Sequence, residues 1–177
     1  KGRPMPHAYH STLLSSLAWL DHAFQPAGEP PPPESIMNRQ RHTANVLLSS
    51  EALPVKSHEA DGLIATDLYP VAVYTADCLP VLIADVRQKQ VAAVHAGLNG
   101  ALKGVLIQAI HRLCERGATP DSLYLAVGPS IGPCCYELGE DRIAAMRQEN
   151  PHDLRPLLAY STRQYRNPQA VRAQAIG

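Results

Sequence analysis

The stretch from Thr75 to Gly100, TADCLPVLIADVRQKQVAAVHAGLNG, decides the fold. Two short apolar runs, LPVLIAD and QVAAVHAG, flank the polar residues VRQK. Runs of this length, rich in Val and Ile and parted by a polar turn, read as the two strands of a hairpin. Cys78 and His95 stand toward their outer ends. Pairing the runs symmetrically about a centre between Val86 and Arg87 sets Cys78 opposite His95. Directly opposed residues share a face, with Cβ atoms about 4.5–5.5 Å apart. That separation suits two ligands of one tetrahedral metal, with sulfur at about 2.3 Å and nitrogen at about 2.0–2.1 Å. It suits a thiolate and its general base equally well. The plain alternative is a buried structural cysteine beside a histidine satisfied by backbone. Asp77 before Cys78 and Gly97 after Ala96 favour a site at one rim of the sheet.

Outward from the hairpin, the C-terminal side turns helical. NGALKGVLIQAIHRLCERG repeats apolar residues at helical spacing through Leu102, Val105, Leu106, Ala109, Ile110, Leu113 and Cys114, and Gly117 suits its C-terminal cap. DSLYLAVGPS reads as a further strand and GEDRIAAMRQEN as a short helix with acidic residues in its first turn. On the N-terminal side, YPVAVYTADC reads as a strand, HEADGLIAT as a turn at Asp61-Gly62 followed by a strand, and Ala44 to Leu48 as another. LLSSLAWL is compatible with helix or strand, with Ser11 or Thr12 as a helix cap. The four consecutive prolines Pro30 to Pro33 form a stiff connector. Strands come first, then strand–helix–strand, and neighbouring strands read as hairpins. The expected class is α+β, a single domain over 1–177 with layered mixed or antiparallel sheets flanked by helices.

Composition narrows the function. The chain has 177 residues with 16 Lys+Arg against 16 Asp+Glu, and this balance argues against nucleic acid or an anionic membrane as main partner. No apolar run approaches the roughly 20 residues of a membrane span. The N-terminus reads as mature chain without a cleavage site. Four cysteines do not make a disulfide framework, and a reducing cytoplasm is the expected compartment. Adjacent Cys134 and Cys135 read as inert thiols in a Gly-Pro turn. A metal needs a third protein ligand. His42 in RQRHTANV and His58 in KSHEADG are both placed for it, and spacing alone does not choose. His7, His10 and His152 fall in peripheral segments and His111 in mid-helix.

TADCLPVLIAD, VAAVHAG and GPSIGPCCYELGED, in this order and spacing, resemble the signature blocks of the laccase-domain proteins. That family is described both as multicopper polyphenol oxidases and as zinc-dependent purine nucleoside phosphorylases, and it includes the peptidoglycan editing factor. The resemblance runs from Glu59 through Asp141 and implies His42, Cys78 and His95 as zinc ligands, His42 because Gln40-Arg41-His42-Thr43 matches the family's Gln-Val-His-Gly. LDHAF resembles an early His-Gly-Phe block and places His22 near the pocket. YSTRQYR resembles a terminal Ser-Tyr-Arg-Arg block and makes Arg163 and Arg166 candidate anion ligands. The implied substrates are purine nucleosides and phosphate, with adenosine deamination and methylthioadenosine cleavage on the same site. Asp77, Cys78 and His95 are the implied catalytic group, Asp77 orienting a ligand or shuttling a proton. The family's His-Ala-Gly-Trp-Arg-Gly is here His95-Ala96-Gly97-Leu98-Asn99-Gly100. Asn99 lacks the charge and fork of an arginine for phosphate, and Lys103 is the nearest substitute. The chain is also shorter than the family pattern. Alternative readings are a cysteine hydrolase acting on a muropeptide, with Cys78 as nucleophile and His95 as base, a copper oxidase, and a non-catalytic relative. A copper oxidase would need more histidines than this chain's pattern provides.

Overall fold

A computed structural model describes residues 8–132 and 135–149. Its centre is a five-stranded mixed sheet of order β1-β2-β4-β3-β5. The strands are β1 (Val46–Leu48), β2 (Gly62–Ile64), β3 (Leu79–Asp85), β4 (Gln90–Ala96) and β5 (Leu123–Val127). β1 and β2 run parallel, and the other neighbours are antiparallel. Helices α1 (Thr12–Ser15), α2 (Leu98–Leu102) and α3 (Val105–Glu115) accompany the sheet. The fold is α+β, as the element pattern implies. Helix α4 (Glu140–Glu149) lies in a second compact unit that begins at Ile131. No helix among the described residues is long and apolar enough to cross a membrane.

β3 and β4 occupy the two apolar runs, but their register differs from the symmetric expectation. Asp85 pairs with Gln90 and Pro80 with His95, so the position facing Cys78 is Gly97. The turn is centred between Arg87 and Gln88, one residue beyond the expected point. Asp85 sets it. This fully buried carboxylate accepts from Arg87 N at 3.1 Å, Gln88 N at 3.0 Å and Ser122 Oγ at 2.5 Å. Burial pushes the Asp85 carboxyl up, but the Ser122 and backbone hydrogen bonds outweigh it and hold it below the ordinary 3.8. A folded-state value below the unfolded one means stability fully present above the unfolded value and lost as pH falls through the folded one. Asp85→Asn should therefore cost about 1–3 kcal/mol at neutral pH. It should also flatten the acid limb of stability below about pH 4. Urea titrations from neutral to acid pH test this, and parallel acid limbs in the two proteins would refute it.

α3 lays Val105, Ala109 and Leu113 on one sheet face, against Val46, Ile64, Val81, Ile83 and Val94. Full burial of such aliphatic side chains contributes about 1.5–3 kcal/mol each. The opposite face packs Leu82, Ala84 and Ala126 under Leu14, Trp19 and Phe24. The expected long helix from Asn99 is broken in two. Gly104 sits at φ +85, a left-handed conformation that ends α2 and restarts the chain as α3. At the far end Ala118 N bonds Leu113 O and Gly117 N bonds Cys114 O, the reciprocal closure expected of the Gly117 cap. Ser11 caps α1, accepting from Leu14 N at 3.3 Å.

Two other expectations fail. YPVAVYTADC forms no strand. Pro70 O and Ala72 N both bond Ile36, giving a single bridge between Ile36 and Val71, and the chain then leaves the ladder. Asp61 also makes no turn. Its carbonyl accepts His95 N at 2.7 Å, so the residue extends the line of β2 beside β4. The open edge of β1 is closed by side chains. Arg112 donates to Val46 O at 2.5 Å, and Glu51, held by Arg112, accepts from Leu48 N at 2.8 Å.

Candidate metal centre

The rim where β3 begins and β4 ends gathers the site. Nitrogen and sulfur atoms of His42, Cys78 and His95 all lie within 4.8 Å of one another. His95 is buried at the end of β4, and Cys78 immediately precedes β3. Their alternation still puts them on one face, as diagonal rather than direct neighbours. The His42 and His95 rings meet edge-on with centroids 4.9 Å apart. The third side chain thus comes from a loop ahead of β1, a placement no strand pattern encodes.

Asp61 builds this loop. Its carboxylate, fully buried, accepts from Arg41 N at 3.2 Å, His42 N at 3.0 Å, Thr43 N at 2.7 Å and Thr43 Oγ1 at 2.7 Å. The same group lies 2.7 Å from His95 Nδ1. Three successive backbone N–H groups converging on one anion form a nest. They also hold His42 at φ +56, a left-handed conformation that costs a non-glycine residue about 1–3 kcal/mol. Burial raises the Asp61 carboxyl, but hydrogen bonds from His95, Thr43 and the Arg41 amide bring it below its ordinary value. With Nδ1 committed to Asp61, His95 presents Nε2 to the cluster, the carboxylate–histidine arrangement that orients metal-bound imidazoles.

Gly97 makes room. A Cβ there would run into the His42 ring and sit 2.9 Å from Cys78 Sγ. The Cys78 thiol is pushed up, first by burial and then by the charges of Asp77 and Asp61. Among the described residues, the groups acting on this thiol include no cation, and a bound cation would reverse the balance. Two imidazoles, a thiol, a carboxylate behind one imidazole and a missing Cβ between the other two ligands fit a single first-row metal ion.

The remaining expected residues distribute as follows. Asp77 is exposed beside Cys78. His22 is not in the cluster. It is partly buried, its Nε2 accepts from Ser11 N at 2.9 Å, and burial followed by the neighbouring His10 lowers its pKa. Arg163, Arg166 and Cys134 lie outside the described residues, and Cys135 is exposed. His58 is absent from the cluster and contacts Ser57 Oγ at 2.6 Å. Reading the sequence missed Asp61 and the spatial role of Gly97. The signal for Asp61 was a carboxylate directly ahead of an all-apolar strand.

Fold and rim together define an α+β protein with a compact Cys/His cluster of the kind that can hold a metal ion. The chain belongs to the family described as multi-copper polyphenol oxidoreductase laccase, whose sequence profile matches residues 22–173. It is 32% identical over 122 residues to the adenosine deaminase RL5 of an unknown prokaryotic organism, covering 64% of this chain and 47% of that protein. It is 36% identical over 104 residues to a purine nucleoside phosphorylase of Mycobacterium bovis, covering 58% and 42%. A solved Neisseria meningitidis protein of the DUF152 family superposes with a TM-score of 0.57 at 33% identity, covering 66% of this chain and 47% of that one. Bacillus licheniformis YfiH gives 0.58 at 25% identity, covering 68% and 48%. The chain spans about half the length of the curated relatives it matches.

Proposed function

We propose that residues 1–177 belong to one laccase-like domain of a zinc enzyme that acts on purine nucleosides. The reaction is phosphorolysis, with adenosine deamination and methylthioadenosine cleavage on the same site. The observation that carries this reading is the His42–Cys78–His95 cluster organised by Asp61. Its support is the enzyme names of the relatives. Three protein ligands leave one position for substrate, where the metal would supply Lewis-acid polarisation. His95 and His42 would hold it through orientations fixed by Asp61, and Cys78 as thiolate would complete the set. Asp77, exposed beside Cys78, would orient the nucleoside or carry a proton. His22, Arg163 and Arg166 are the proposed substrate contacts, the two arginines for phosphate. The three described cysteines are free thiols, in keeping with a reducing cytoplasm.

The pair His95–Asp61 would equally orient a general base for Cys78, which keeps the cysteine hydrolase as the second reading. Its weakness is the raised Cys78 thiol. Incubation with adenosine, with and without phosphate, tests the first reading. Adenine with ribose 1-phosphate, formed only when phosphate is present, is the expected product pair, and inosine marks the deaminase branch. A protein holding one metal ion per chain that turns over no nucleoside would overturn it. Copper in place of zinc on metal analysis would move the assignment to the oxidase branch.

A further inference from the structure

Three chain segments meet at the cluster, and they must be held to one another. Asp61 ties the His42 turn to His95. The β3–β4 ladder ties the residue after Cys78 to the residue after His95, through the Leu79–Ala96 pair. We infer that Gln40 closes the third side as a positioning residue, fastening the Cys78-bearing segment to the His42-bearing one. This inference rests on the metal-centre reading above.

The geometry is specific. Gln40 Nε2 donates to Tyr74 O at 2.6 Å, and Gln40 Oε1 accepts from Tyr74 N at 2.8 Å. One carboxamide thus serves both backbone groups of one residue, as an adjacent strand would. Residues 72–78 have no strand of their own to do this. Tyr74 stands four residues before Cys78, and Gln40 stands two before His42. A second contact points the same way. Lys56 Nζ lies 5.7 Å from the centre of the Tyr74 ring, and Lys56 N donates to Met37 O at 2.8 Å. Tyr74 is therefore anchored to the 37–40 segment by backbone and by ring. Without Gln40, the segment leading into Cys78 keeps the Ala72–Ile36 bond upstream and the β3 ladder downstream but loses its backbone tie beside the His42 turn, whereas His42 and His95 keep their common anchor in Asp61.

The consequence is selective: loss of Gln40 loosens the thiolate and spares the imidazoles. Cobalt(II)-loaded protein separates the two, because the thiolate-to-cobalt charge-transfer band reports Cys78 while the ligand-field bands report the whole coordination sphere. Gln40→Ala is expected to weaken metal binding roughly 10- to 100-fold in competition with a chromophoric chelator. The charge-transfer band should fall further than the ligand-field bands. Gln40→Glu keeps the size and the acceptor but loses the donor, so it should fall between wild type and Gln40→Ala, and it serves should the alanine variant fail to fold. Wild-type affinity with an unchanged charge-transfer band in the folded variants would overturn the role of Gln40. A wild-type protein that binds cobalt with no charge-transfer band, or binds none, would instead overturn the metal-centre reading itself.

Discussion

Asp61→Ala is expected to lower stability by on the order of 3 kcal/mol or more, since each buried donor left without an acceptor costs about 1–3 kcal/mol. The substitution strands the amides of Arg41, His42 and Thr43, the Thr43 hydroxyl and His95 Nδ1 together. These losses share one acceptor and will not add as separate bonds. The His42 turn also loses what holds its left-handed backbone. Asp61→Asn keeps the shape but offers an NH2 where donors already crowd, so it repairs only part of the damage. Metal affinity should fall roughly 10- to 100-fold in Asp61→Asn, as is usual for a partner behind a ligand. Urea denaturation and chelator competition measure the two effects. An alanine variant with the wild-type midpoint and full metal content would sink the assignment of Asp61 as hub.

Gly97→Ala changes no ligand and no hydrogen-bonding side chain, yet it should reduce metal binding by more than about 100-fold, since changes behind the ligands that merely reorient them already reach that range. The new methyl group occupies the space between the His42 ring and Cys78 Sγ. Neither can retreat freely, because His42 is held by Asp61 and Cys78 adjoins the β3 ladder. Overpacking of this sort costs about 1–3 kcal/mol, so the variant should stay folded. Metal content after dialysis, set beside a denaturation curve, checks it. Stoichiometric metal in Gly97→Ala would show that the ligands do not close around this point.

The hairpin was legible because Val and Ile runs bounded by polar residues mark strands whatever surrounds them. Its register was not, because a turn centre is set by Asp85 side-chain bonds that alternation does not record. The two-residue slip preserved the face, so Cys78 and His95 were still brought together. His42 was out of reach for pattern reasoning. Nothing in RQRHTANV separates it from His58, and what selects it is a buried carboxylate about twenty residues away in sequence. Only resemblance to a family supplied it. The expected Val71–Val73 strand failed for a related reason. Apolar alternation promised a ladder, but the partner segment meets it at one bridge only.

The left-handed residue at Gly104 has a further consequence. It breaks the helix between the five-residue α2 and α3, whose apolar side chains form part of the central core. α2 is seated by Gly100 close to the backbone of Thr43 and the Val105 side chain, and by Gly97 at its head. Leu98 and Asn99, where the resemblance expects tryptophan and arginine, fall on the first turn of α2. Exchange of residues there alters the turn that follows Gly97 without changing the residues of α3 that cover the sheet. Gly104 thus acts as a pivot between the turn that leaves the cluster rim and the helix that closes the core.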